Sequence, residues 1–439
     1  MGAERVPLSY NQVRRLKRDA MFSSREPHHI SAVFDGEGEL SETAMRQAIR
    51  DVIARHEALR TAFRTASYGA EPYGLLLPVE PRADLLLIAE SGCLEDLTRQ
   101  ATNALFDLEH DYKLRVTLVR RTPGAWRLIV TVEHLICDGQ SFDRVLADLA
   151  TAYNARLAGD EPFHDLVPGF ATWAEQERAA LDGPLLEAHL AFWRTRLDPL
   201  EAIPEVRLAG MAEPSSIPAE LAGARMDLPG VGELRALCAR NGVSLHTGML
   251  ACLKLAVFAV GRQSVVGVVG PVSLPSDDRG RAVGWFSNLA VFRSRIDPAA
   301  SAEGLLRATQ QTVFDTLDHL IPLPLLVQHL QPERDKVAGR RPWLYFDSDW
   351  WEEDPLPLNG AELARVDEAC TPALRPGVGL WANGNAPIPH VYMQWEAEVW
   401  PEAEAHAFLS AFVAAVGLLA RSPDATCAEL ARTLAGSES

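Results

Sequence analysis

Val130-Thr131-Val132-Glu133-His134-Leu135-Ile136-Cys137-Asp138-Gly139-Gln140-Ser141-Phe142 is the most informative stretch of the chain. β-Branched residues bring a strand to an acidic residue and a histidine, an Asp-Gly turn follows, and then a helix that Ser141 is placed to cap. A histidine at a strand end, before a glycine turn, projects from a rigid scaffold towards a cleft. Its ordinary pKa of about 6.5 suits proton transfer at neutral pH, which makes His134 the candidate general base. Asp138 reads as an anchor through a buried ion pair, and Gly139 lets backbone come close to a ligand. Histidines beside turns are also common structural residues, and the spacing alone leaves both roles open.

Working outward, residues 114–120 and 127–135 flank Thr122-Pro123-Gly124 and predict a hairpin. A helix at 11–19, a strand at 29–34, a helix after Ser41, short strands at 61–63 and 73–77 and a helix at 93–105 precede it. After it come helices at 141–157, 170–181 and 185–197, the first broken by Gly159-Asp160-Glu161-Pro162. Residues 198–218 hold Pro199, Pro204, Pro214 and Pro218 with little periodicity and read as a linker. The pattern then restarts, with helices at 231–241, 244–260, 302–319 and 402–420 and strands at 264–271, 343–347 and 391–400. The expectation is an α/β protein in two halves, 1–197 and 219–439, joined by 198–218.

Composition narrows the function classes. The chain has 439 residues, 47% of them hydrophobic, and a net charge of −17. A strongly acidic protein repels phosphate backbones and anionic lipid surfaces, so neither nucleic acid nor membrane is an expected partner. Arg14, Arg15, Lys17 and Arg18, and again Arg334, Lys336, Arg340 and Arg341, form local basic clusters that read as solvated faces. Cysteines 93, 137, 238, 252, 370 and 427 are scattered without a C-x-x-C pair, so neither a disulfide framework nor a metal site is expected. Residues 1–21 lack the apolar segment of a signal peptide, and the apolar runs 248–261 and 408–420 fall short of the ~20 residues of a bilayer span. A cytoplasmic location fits these features. In the second half, Trp343, Trp350, Trp351, Trp381 and Trp395 read as core, with a substrate-lining wall as the alternative.

The central stretch resembles the His-His-x-x-x-Asp-Gly signature of condensation domains of nonribosomal peptide synthetases, members of the chloramphenicol-acetyltransferase-like superfamily. Four more segments resemble family motifs in the family's order: Leu8-Ser9-Tyr10-Asn11-Gln12-Val13-Arg14, Arg55-His56-Glu57-Ala58-Leu59-Arg60-Thr61-Ala62-Phe63, Phe170-Ala171-Thr172-Trp173 and Val283-Gly284-Trp285-Phe286-Ser287-Asn288. The matches run from residue 8 to about 293 and weaken beyond it.

The resemblance implies two acetyltransferase-like subdomains forming a V-shaped pseudodimer with the site in a tunnel between them. It implies His134 as the catalytic histidine, and Asp138 paired with Arg60, beside Gly139, as the structural active-site residues. Glu133, Ser141, Trp173, Trp285 and Asn288 become motif or tunnel-lining residues, with Val283–Asn288 on a bridging segment. The implied reaction moves an acyl group from the phosphopantetheine thioester of an acyl- or peptidyl-carrier protein to a small-molecule amine, or less readily a hydroxyl. The arm is a substrate, and no tightly bound cofactor or metal is implied. An ester-forming transferase using coenzyme A or a polyketide carrier, and a catalytically silent recruiting module, are the alternatives. No adenylation or carrier segment is recognisable, so a stand-alone protein is expected.

Two positions depart from the family. Glu133 replaces the first signature histidine, and Gly270-Pro271-Val272-Ser273-Leu274-Pro275 replaces a Gly-x-Pro-x-x-Gly-Arg segment. Successive residues of a strand point to opposite sides, so Glu133 should face away from the cleft that His134 faces. Paired acids mark heterocyclising relatives, but those lack the histidine kept here.

Overall fold

The structure is a computed structural model that describes residues 4–21, 27–64, 71–79, 85–90, 92–198, 206, 208–212, 220–272, 281–332, 343–348, 356–366 and 377–436. Trp350, Trp351, Cys370, residues 273–275 and the basic cluster 334–341 lie outside them, as does most of the expected linker. The chain divides into two compact units.

The first unit is built on a five-stranded sheet in the order Ala361–Arg365, His29–Gly38, Ala125–Glu133, Leu114–Thr122, Leu86–Ala89. All pairs are antiparallel except the last. The strand leading to His134 is central. Its Leu128, Val130 and Val132 enter a core shared with Ile49 and Val52 of helix Glu42–Arg55 and Phe142 and Val145 of helix Gly139–Ala158. Ile129 packs on the opposite face with Ala101 of helix Leu94–Asn103. Cover on both faces explains why the strand is apolar at consecutive positions. The hairpin turns at Pro123-Gly124, where Gly124 takes φ +81°, a conformation that side chains resist. A three-stranded sheet, Glu4–Val6, Tyr73–Leu76 and Thr61–Arg64, completes the unit.

The second unit carries a six-stranded sheet in the order Asn288–Arg295, Val265–Val272, Trp343–Ser348, Gly377–Asn383, His390–Glu396, Leu221–Asp227. Helix Leu245–Gly261 is apolar on every side and accordingly lies buried, packed with helices Val231–Arg240, Ala302–Asp318, Glu402–Arg421 and Cys427–Gly436. Contrary to the expectation from the apolar runs, helix Glu402–Arg421 is long and apolar enough to cross a membrane, although 50% of its most apolar window is buried within the protein.

The division differs from the contiguous one that the sequence suggests. The first unit comprises Met1–Asp182, Ser273–Ser287 and Glu353–Ala373, and the second takes the rest. Helix Gly183–Leu197 therefore joins the second unit rather than ending the first. It buries Leu190, Trp193 and Leu197, and Trp193 Nε1 donates to the His319 carbonyl (2.8 Å). Strand Ala361–Arg365 returns to the first unit because it extends the free edge of His29–Gly38.

Candidate active site

Strand Ala125–Glu133 ends in a 3₁₀ turn, His134–Ile136, followed by Cys137 and Asp138. Asp138 caps helix Gly139–Ala158, in place of Ser141, with extended backbone (φ −106°, ψ −177°) and Oδ1 accepting from the Ser141 amide (3.0 Å). Ser141 sits inside the first turn, and its hydroxyl donates to the Gly284 carbonyl (2.8 Å) and accepts from the Gly284 amide (3.1 Å). Gly139 is the first helical residue.

The expected pairing of Asp138 with Arg60 is corrected by the structure. Asp138 Oδ2 accepts from the backbone amides of Phe286 (2.9 Å) and Ser287 (2.8 Å), and its own amide donates to the Gly284 carbonyl (3.1 Å). Arg60 Nη1 instead donates to the Leu77 carbonyl (2.9 Å), holding the short strand next to it. A cap carboxylate facing three amides is satisfied without a guanidinium. Its effect is to dock residues 284–287 against the histidine turn.

His134 is held from several sides. Its amide donates to the His28 carbonyl (2.8 Å), and its ring lies parallel to the His28 ring, with centroids 4.3 Å apart and planes at 4°. The Trp285 ring tilts against it at 5.0 Å. Gln12 Nε2 donates to the Leu135 carbonyl (2.8 Å), and Asn11 Nδ2 to the Ser287 carbonyl (3.2 Å), so helix Tyr10–Asp19 clamps both the turn and the docked segment. Nδ1 of His134 is buried and, among the described residues, has no hydrogen-bond partner of ordinary geometry outside its own residue. Burial pushes the His134 pKa below its ordinary value, opposed in part by its own backbone and by the charges of Asp138 and Glu133. The ring is therefore neutral at neutral pH and able to accept a proton.

Glu133 turns the other way. It pairs in register with His29, whose Nε2 lies 3.5 Å from Glu133 Oε2 and whose Nδ1 meets the Thr102 carbonyl (3.0 Å). His28 stacks on His134 while His29 meets Glu133, so the alternation of the two strands carries one residue past the paired ends at His29 and Glu133.

The remaining motif residues serve the same turn indirectly. His56 Nε2 and Arg55 Nε reach Asp148 Oδ2 of helix Gly139–Ala158 at 2.7 and 3.2 Å. Glu57 Oε1 accepts from the Ala171 amide (2.9 Å) at the start of helix Phe170–Ala180. From that helix Phe170 and Trp173 stack and both meet Phe286 edge-on. Asn288 lies in the second unit. Its Nδ2 donates to the Ile321 carbonyl (2.7 Å) and its Oδ1 accepts from the Leu289 and Leu323 amides, so its side chain secures its own neighbourhood. Trp395 is buried in that unit's core, whereas Trp343, Tyr345, Trp381 and Tyr392 form a row of ring contacts along the sheet. Sequence reasoning missed His28, since only the strand register brings it to His134.

A family model for the condensation domain matches residues 3–341. The chain belongs to the condensation-domain family. It is 30% identical over 354 residues, 77% of its length, to the "Probable non-canonical nonribosomal peptide synthetase (NRPS) CymA" of Salinispora arenicola (strain CNS-205), of which it spans 4%. The condensation domain of the Monacolin K polyketide synthase MokA matches with TM-score 0.80 and 19% identity, over 97% of this chain and 99% of that one. The X-domain from teicoplanin biosynthesis matches with TM-score 0.79 and 22% identity, over 97% of each chain. At these identities the two structures establish a shared fold, the two-lobed acetyltransferase-like fold of condensation domains.

Proposed function

We propose that this condensation domain transfers an acyl group from the phosphopantetheine thioester of a carrier protein to an amine, with His134 as general base. The observation that carries the reading is the neutral, half-buried His134 imidazole, fixed at a strand end by His28, Trp285 and the Asp138-docked segment. In the reaction the amine nitrogen attacks the thioester carbonyl while Nε2 takes its proton. The tetrahedral intermediate then collapses, the C–S bond breaks, and the departing thiolate receives that proton, leaving an amide and a free thiol. The acyl group arrives activated, so no covalent enzyme intermediate is required, and catalysis draws chiefly on proximity and orientation. An alcohol can replace the amine in the same steps, giving an ester.

Intact-mass spectrometry of acyl-carrier proteins mixed with the enzyme and candidate amines or alcohols tests this reading. Wild type should discharge the carrier and form a matched product, and His134→Ala should lose ~10²–10⁴-fold of the rate, the range of general acid–base catalysis. Equal turnover by His134→Ala would remove the general base. Carrier binding by wild type without transfer would favour a recruiting module, and transfer from coenzyme A thioesters alone would favour the alternative donor.

A further inference from the structure

The position where the family signature has its first histidine is Glu133, yet two consecutive histidines approach the same turn from the neighbouring strand. His29 occupies the register position opposite Glu133, whose Oε2 lies 3.5 Å from its Nε2, and is held there by the Thr102 carbonyl and by the edge of Phe106 at 5.1 Å. Fixing His29 fixes the residue before it. His28 thereby presents its carbonyl to the His134 amide and its ring face to the His134 ring, and Trp285 closes on both rings, 5.8 Å from His28 and 5.0 Å from His134. A backbone hydrogen bond with a parallel ring contact constrains an imidazole more tightly than either alone.

We propose that His28 is a positioning residue of this site: laid flat on His134, it fixes the plane of that ring and so the direction in which Nε2 meets the acceptor. The proposal rests on His134 being the general base. His28 is itself buried, and burial together with the charges of Arg15, His134, His29 and Arg18 holds its pKa well below the ordinary value. His134 faces the same Arg15, with Asp138 and Glu133 acting in the opposite sense. Two neutral rings therefore stack without charge repulsion at neutral pH, and only protonating both would place like charges face to face.

The test compares wild type with His28→Phe, His28→Gln and His28→Ala in the full chain. It follows the His134 ring by NMR titration of histidine-labelled protein without substrate, and kcat and KM with a loaded carrier. His28→Phe keeps a flat face and should keep the His134 titration below about 6.5, with kcat close to wild type. His28→Ala opens that face, so the titration should rise towards about 6.5 and kcat should fall by ~10–100-fold at similar KM. If His28→Ala does not fold, His28→Gln, which lacks a ring, takes its place. Unchanged kcat and titration in the ringless variants would overturn the proposal, as would a loss in His28→Phe as deep as theirs. The titration needs no acyl donor. If the transfer reading fails, every protein including wild type is inactive, while the substrate-free titration still reports whether His28 sets the ring.

Discussion

Asp138 shows how much one side chain does around the histidine turn. A single carboxylate caps helix Gly139–Ala158 and receives the amides of Phe286 and Ser287. Removing it loses a cap worth ~1 kcal/mol and strands two part-buried amides, each costing ~1–3 kcal/mol, so Asp138→Ala should destabilise the first unit by at least about 3 kcal/mol in urea denaturation. Arg60 has a separate partner, the Leu77 carbonyl. The double-mutant cycle of Asp138→Ala with Arg60→Ala should therefore show coupling of less than ~0.5 kcal/mol. Coupling above ~1 kcal/mol would restore the ion pair that the family resemblance implies. The sequence made Asp138 legible as an anchor but not what it anchors, because backbone amides leave no mark on residue identity.

At the scale of elements, residues 281–287 come from far along the chain to lie on the histidine turn. Gly284 makes the approach possible: a Cβ there would fall 2.0 Å from Phe170 Cδ2, within the cluster Phe170, Trp173 and Phe286. The ring is boxed in by its neighbours, so Gly284→Ala must either displace it or lift the segment from Ser141 and Asp138. The expected cost is ~1–3 kcal/mol, the range for overpacking, with a change in Trp285 fluorescence and a loss of transfer activity. A variant with wild-type stability and emission would show that the segment docks loosely. The same elements explain how the motifs were readable in order while their contacts were not. Ser9 with Gln12 and Phe170 with Trp173 each mark a local cap or packing face, whereas Glu57 reaches the Ala171 amide far along the chain. Their common target, the turn at His134, emerges only when the strands are in register. His28 is the extreme case, since nothing in Pro27-His28-His29 itself signals a ring partner.

At the scale of the whole molecule, the composition correctly indicated large apolar cores, but a division at a proline-rich stretch was misplaced because chain continuity is not packing. Residues 281–287 and strand Ala361–Arg365 follow the surface they complete, not their sequence neighbours. The second unit contains a charge that composition cannot place. Lys254 is fully buried in helix Leu245–Gly261, with Nζ donating to Ser294 Oγ (2.8 Å), and burial followed by the charge of Arg196 lowers its pKa to about 7. In the unfolded chain the same amine titrates near 10.4. Between these values the unfolded state binds more protons than the folded one, so stability must rise with pH across that window. Below pH 7 both states carry the proton, and the folded state bears the full cost of the buried ammonium. Lys254→Met removes the titrating group while filling similar space. It should raise the stability of the second unit by several kcal/mol at pH 7, because each pKa unit corresponds to about 1.4 kcal/mol, and flatten the rise towards pH 10. Thermal denaturation of both proteins from pH 6 to 10 measures the slope, and an equal slope in the two would assign it to other groups.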